Sequence, residues 1–310
     1  MAAVLAIAAA AAGPARAQWT GGTYTATATE NLGAITVNGN ATLTINSDVT
    51  VTVTGGINVA SGTLTVTGPG TLVVTGAKGT DGNVGSWGGN GTPGGVAISG
   101  NIVVQDGATV QANGGAGGNG GAGEPENGGH GANGAAAISG NVTVLGGATV
   151  KATGGNGGNG EFYGGTGGNG GVAFAGTLTY KSGTVTANGG SGGSGRWSAW
   201  DGEYASSGSA GKAFANDVDF TQTTGYSVTD GTSTITTISN QKTVVISGGI
   251  PTGYSVSLKS GTEDASNWQG KAGEGDYQEL PLEGLEAGTA VSVKYNGTKK
   301  VKSVKAKKKQ

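Results

Sequence analysis

The chain has 310 residues, of which 68 are glycine, 6 are proline and none is cysteine; 35% are hydrophobic and 5% aromatic. This composition argues against a broad globular core, and it excludes disulfide or thiolate-metal frameworks and, lacking abundant proline and a strict every-third glycine, a collagen helix. The net charge of −2 hides a segregation: Lys299, Lys300, Lys302, Lys305, Lys307, Lys308 and Lys309 stand in the last twelve residues, and 17 minus these 7 leaves 10 basic against 19 acidic residues, a net of −9. A body of that sign does not attract nucleic acid.

Residues 2–12 form a short apolar run, and Ala15-Arg16-Ala17 ahead of Gln18 has the small-x-small spacing of a signal-peptidase site. Residues 1–17 therefore read as a signal peptide, and the mature protein as secreted or cell-surface. The run is too short to span a bilayer, and no other stretch reads as a membrane helix.

From Thr23 to Thr75 apolar and threonine residues alternate, as in Leu43, Ile45, Val49, Val51 and Val53, with Gly55-Gly56, Gly62 and Gly68-Pro69-Gly70 as turns. Period-two alternation of β-branched residues is the signature of half-buried strands. The chain then repeats itself: 95–115 and 135–155 carry one phrase about forty residues apart, each with strand-like runs followed by a glycine-rich tract. Such a period marks a repeat array. Val59, Ile98, Ile138, Phe174 and Phe214 read as the heads of successive copies, and long insertions follow at 78–94, 114–134, 154–170 and 189–211. The Gly-Gly-x texture of the insertions has the three-residue period of polyproline II. One reading is that neighbouring insertions stack into a glycine-rich layer beside the strands; the other is that they are floppy surface loops.

The expected fold is all-β: a parallel β-solenoid over 18–240 with glycine-rich insertions on one flank. Residues 232–238 read as its last strand. A small C-terminal β module with a Lys-rich tail follows over 241–310, placed to cap the solenoid. The phrase at 140–157 resembles the repeats of glycine-rich bacterial surface and secreted proteins with a parallel β-helix, the class of adhesins and autotransporter passengers. That resemblance implies a scaffold fold and a surface role without implying a particular activity.

Trp87, Phe162, Tyr163, Trp197, Trp200 and Tyr204 all fall in insertions. Aromatic rings offer apolar platforms with polar edges that suit sugar faces, so these six are the candidate glycan-binding residues. The alternative reading is that they cover the glycine layer. Asp217 and Asp219, which would share one strand face, allow a Ca²⁺ site; no other cofactor is expected. His130 reads as a solvated loop histidine. The favoured function is non-catalytic and structural or adhesive, with weak multivalent binding to polysaccharide or host glycan. Two alternatives stand beside it. A β-helix carbohydrate-active enzyme would need clustered carboxylates, and Arg196 with Asp201 and Glu203 is the nearest arrangement to one. An ice-binding protein would need a threonine ladder recurring in every copy, whereas the threonines read as fading after Thr75. Self-assembly through exposed ends is a further reading.

Overall fold

The computed structural model describes residue 19, residues 21–123, 127–198, 202–215, 226–229 and 242–249, and, nearer the C-terminus, 254–256, 268–272, 276–280, 282–285, 291–295 and 307–308. Asp217, Asp219, Trp200 and the expected strand at 232–238 lie outside the described residues, as do 1–18. Among the described residues there is no helix.

Two sheets share the chain by alternation. The first contains β1 (Gly22–Ala26), β3 (Ile35–Val37), β4 (Ala41–Ile45), β6 (Ile57–Thr67), β8 (Ile98–Val104), β10 (Val142–Val144) and β12 (Leu178–Tyr180). The second contains β2 (Glu30–Leu32), β5 (Thr50–Thr54), β7 (Thr71–Thr75), β9 (Thr109–Asn113), β11 (Thr149–Thr153) and β13 (Ser182–Asn188), followed by β15 (Thr243–Gly249) and β14 (Tyr226–Thr229). From β4 to β13, each pass of the chain adds one strand to each sheet, parallel to the strand before it.

The register stacks like on like. In the first sheet Leu43, Val66, Val104, Val144 and Tyr180 form one inward column; in the second, Val51, Leu72, Val110, Val150 and Val185 form another. All ten side chains are buried, each contributing about 1.5–3 kcal/mol relative to exposure for the aliphatic members. A third column runs through Ile98, Ile138, Phe174 and Phe214, with the two phenyl rings stacked at 5.2 Å. Ile57, not Val59, pairs with Ile98, so the head of that copy lies two residues earlier than the alternation implies. Burial pushes the Tyr180 phenol up to about 12, and its hydroxyl donates to the Gly183 carbonyl at 2.8 Å.

Between the sheets the chain turns tightly. Asp106-Gly107 and Gly146-Gly147 have positive φ at both central residues, with Ala108 and Ala148 N–H groups returning to Gln105 and Leu145 carbonyls. That is the type I′ turn that Asp-Gly and Gly-Gly favour.

One threonine column continues past Thr75, whereas the others thin as the sequence reading has it. Thr50, Thr71, Thr109, Thr149 and Thr184 are consecutive partners on the outer face of the second sheet, and Thr42, Thr65, Thr143 and Thr179 share one column of the first, broken only by Val103. The strands between glycine tracts are short, so one threonine per strand suffices to continue a column.

At the C-terminal end β15 lies antiparallel on β13. The segment from Thr243, expected at the opening of a separate module, thus extends the second sheet. Two three-stranded antiparallel sheets follow: β16 (Tyr254–Val256) with β19 (Leu282–Leu285) and β21 (Lys307–Lys308), and β17 (Trp268–Ala272) with β18 (Gln278–Glu279) and β20 (Val291–Tyr295).

The glycine-rich insertions are ordered. They leave the second sheet where the earlier pass turns back at Gly55-Gly56, and each runs out and returns as a pair of extended rods. The outgoing rods are 76–85, 114–123, 154–163 and 189–198; the return rods are 88–97, 127–137, 165–173 and 204–214. Gly76, Gly79, Gly82 and Gly85 donate N–H to the carbonyls of Asn113, Ala116, Asn119 and Ala122 in the next outgoing rod, at 2.8–3.1 Å. Gly115, Gly118 and Gly121 donate to Gly95, Thr92 and Gly89 of the preceding return rod. Return rods donate to their own outgoing partner, as Gly95 to Ala77, and to the next return rod, as Gly91 to His130 and Gly94 to Asn133. The result is two antiparallel layers of rods bonded at the three-residue period of polyproline II.

This lattice favours glycine at two phases of three, although Ala132 and Ala135 in the second return rod and Glu161 and Arg196 near the rim hold those phases with side chains. A Cβ on Gly118 would strike the Thr80 carbonyl, on Gly158 that of Gly118, and on Gly193 that of Gly158, all far inside contact distance. At the other phase, Gly117 and Gly157 face the Ala132 and Gly168 carbonyls as closely. Ala77, Thr80 and Asn83 hold a glycine phase yet carry side chains, because their rod lies at the edge of the lattice.

Gly158→Ala is therefore expected to destabilise the protein by about 3 kcal/mol, the upper range for overpacking a closed site. Gly33→Ala, at a position with open space and ordinary φ, should be neutral or stabilising by roughly 0.5 kcal/mol. Urea denaturation of the two variants measures the difference.

Candidate functional site at the rim of the rod layers

The third phase of each rod points out of the lattice and is the only one that admits side chains freely. Across the four outgoing rods it forms three columns: Lys78, Ala116, Asn156 and Ser191 nearest the sheets; Asp81, Asn119, Asn159 and Ser194 next; and Val84, Ala122, Phe162 and Trp197 at the far rim. The return rods present Asn90, His130, Thr166 and Ser206 at the rim, and Pro93, Asn133, Asn169 and Ser209 behind them. Pro93 sits at the one phase whose N–H the lattice does not use, so its missing donor costs nothing.

The third-phase N–H groups would be left to solvent, and polar side chains take them up. The carboxylate of Asp81 accepts the Asn119 N–H at 2.8 Å, the Asn119 side-chain oxygen accepts the Asn159 N–H at 2.9 Å, and Asn159 in turn accepts the Ser194 N–H at 2.9 Å. On the return face Asn133 accepts from Asn169, and Asn169 from Ser209, both at 2.8 Å. His130 belongs to such a ladder: its N–H goes to Asn90, and its Nδ1 accepts the Thr166 N–H at 3.0 Å. His130 is exposed as the sequence reading has it, but it lies in a rod and not a free loop, and its ring stands in for an asparagine rung. The recurrent asparagine of Gly-Gly-Asn is thus a backbone-capping residue.

At the rim of the outgoing layer the chemistry changes from polar to apolar. Val84 is 81% exposed, Trp87 78%, Tyr204 75%, Phe162 53% and Trp197 42%; outside the C-terminal part these are the large exposed hydrophobic side chains among the described residues. Trp87 lies in the turn between its two rods. Trp197 and Tyr204 face each other across the last hairpin, with ring centroids 5.3 Å apart, edge to face. The Arg196 guanidinium lies over the Phe162 ring at 5.4 Å. Tyr163 differs from the others: it is half-buried, has a left-handed φ of 73°, and donates its N–H to the Trp197 carbonyl, so it shapes the turn.

Five of the six aromatic candidates are therefore brought to one edge, and Trp200 lies outside the described residues. Val84 joins them although its residue type gave no signal; its place in the three-residue phase, two rods from Phe162, is what identifies it. Of the acidic residues in the enzyme reading, Asp201 lies outside the described residues and Glu203 accepts the Ser198 N–H through its backbone carbonyl at 2.8 Å; elsewhere Glu161 accepts the Phe162 N–H at 3.1 Å and Asp106 accepts the Thr67 hydroxyl at 2.8 Å. Among the described residues no group of three or more His, Asp or Glu side chains gathers as a metal site would require, and no helix is long and apolar enough to cross a membrane.

Comparison of the chain with protein-family models, with curated proteins and with solved structures finds no match in any of the three.

Asp81 is held below the ordinary 3.8 of an aspartate, first by the Asn119 N–H and then by Lys78. A depressed carboxyl contributes to folding above its unfolded value and loses that contribution as pH falls through the folded one. The ladder uses asparagine at the next two rungs, so Asp81→Asn is expected to keep the fold and abolish this acid dependence. A carboxyl NMR titration, with melting followed from neutral pH to below pH 3.8, checks both.

Proposed function

We propose that the protein is an exported, non-catalytic scaffold, a parallel β-solenoid bearing a glycine-rich blade, that binds glycan weakly and multivalently along the blade's rim. The observation that carries this reading is the confinement of large exposed apolar side chains to one edge of an otherwise polar double layer. Exposed apolar patches on soluble proteins mark interaction sites, and aromatic faces with nearby polar groups suit sugar rings. The stacking of one strand per pass in each sheet supports the solenoid reading. The resemblance of 140–157 to glycine-rich surface proteins supports a secreted or cell-surface, adhesive role. Weak contacts repeated along a rigid blade gain strength by avidity.

The expected result is measurable binding of the full chain to part of a broad polysaccharide panel, weakened at least tenfold in a Phe162→Ala/Trp197→Ala variant that melts like the parent. Binding that the double variant retains in full would remove the rim from the site, and no binding to any glycan would sink the reading.

A second reading, water ordering at an ice surface, is favoured by the unbroken five-threonine column on the second sheet. The neighbouring outward column, Thr52, Val73, Gln111, Lys151 and Thr186, is irregular, which weakens it. Ice recrystallisation assays with Thr109→Lys decide: inhibition by the parent that this variant loses would support the ice face, and none in the parent would dismiss it.

A further inference from the structure

We infer that the rim's ligand is an unbranched, uncharged polysaccharide lying along the stacking direction, across the outgoing rods, with its rings seated on the column Val84, Ala122, Phe162 and Trp197. The inference rests on the glycan reading above and adds the ligand's shape, its charge and the face it meets.

The face follows from the two rim columns. On the outgoing layer all four third-phase residues are apolar, whereas on the return layer the matching residues are Asn90, His130, Thr166 and Ser206. The ring of His130 is engaged in holding Thr166. A ligand that gained by apolar contact would meet the outgoing side, with Tyr204 of the last return rod set edge to face against Trp197 at one end of the column.

The shape follows from the lattice. Members of the column sit on successive rods tied by N–H···O bonds of 2.8–3.1 Å, which sets a spacing of about 5 Å, as between bonded strands. One pyranose unit of an extended polymer advances by a similar distance, so an unbranched chain can place one ring per rod. The platform is a single column wide, flanked by Asp81, Asn119, Asn159 and Ser194, whose side chains or N–H groups are committed to the ladder. A branch would have to cross that ladder.

Charge decides the class. The column itself is uncharged, and the body's net −9 opposes a polyanion. Arg196, stacked on Phe162 and without an ion pair among the described residues, opposes a polycation at the same place, while its N–H groups can donate to sugar hydroxyls. A neutral polymer satisfies both conditions.

The test uses the full chain and linear neutral oligosaccharides of two to six units from β-1,4-glucan, β-1,3-glucan and β-1,4-mannan, with polygalacturonate as the anionic comparison. In the series that binds, affinity should rise with each unit to four and then level. Phe162→Ala or Trp197→Ala should weaken the tetramer roughly tenfold, about 1.4 kcal/mol. Val84→Lys, at an exposed end position, should make the tetramer bind like the trimer, and Asn90→Ala and Thr166→Ala should change nothing. Affinity independent of length, loss in the return-face variants, or preference for polygalacturonate would overturn this inference and leave the glycan reading standing. Failure of every glycan in the wider panel to bind would overturn both.

Discussion

The architecture turns on one interaction, the close approach of a rod's backbone to the carbonyl oxygens of its neighbours. Hydrogen-bonded rods can pack on several sides only where no Cβ intervenes, and at Gly118, Gly158 and Gly193 the space a methyl would need is already held by a carbonyl. Glycine ordinarily costs conformational entropy on folding. Here that cost is offset by backbone bonds made in more directions than a strand can offer. The same residue type that elsewhere signals disorder therefore builds the most regular part of the molecule.

Everything outside the lattice is arranged by what the lattice leaves over. Two phases of three are closed along most of the lattice, so chemical variety is concentrated in the third, and that phase has an N–H the lattice does not use. Asparagine, aspartate and one histidine spend it, by accepting from the next rod. Where the third phase of the outgoing rods reaches the rim, the ladder gives way to Val84, Phe162 and Trp197, and that side of the edge becomes apolar. The rim is thus positioned by backbone geometry, with side chains only decorating a fixed grid.

The sheets supply the register. Parallel pairing in every pass stacks each inward residue on its counterpart, which sets successive rod pairs at the hydrogen-bonding distance before they leave the core. Without that alignment a glycine tract would have no reason to meet its neighbour at one phase. The buried columns of valine, leucine and isoleucine and the glycine layers are consequently two parts of one stack: the first pays for order by burying apolar surface, and the second extends that order outward through backbone bonds.

Much of this was legible in the chain. Alternation and repetition marked the strands from Leu43 to Val66 and the paired phrases at 95–115 and 135–155, because inward position and turn chemistry are local properties that residue type reports. The Gly-Gly-x texture also pointed to stacked extended segments, since only glycine permits that approach. Other features depended on pairing across forty residues, which no single copy encodes. These include the role of asparagine as a backbone cap, the place of His130 in a ladder, the unbroken threonine column, and the joining of Thr243–Gly249 to the second sheet. The sequence by itself determined where the chain is extended, where it turns and which positions must lack a side chain, because those are set by local sterics. Only the tertiary structure decided that Val84, Phe162 and Trp197 share one edge, because that edge exists only once separate passes are brought into hydrogen-bonded register.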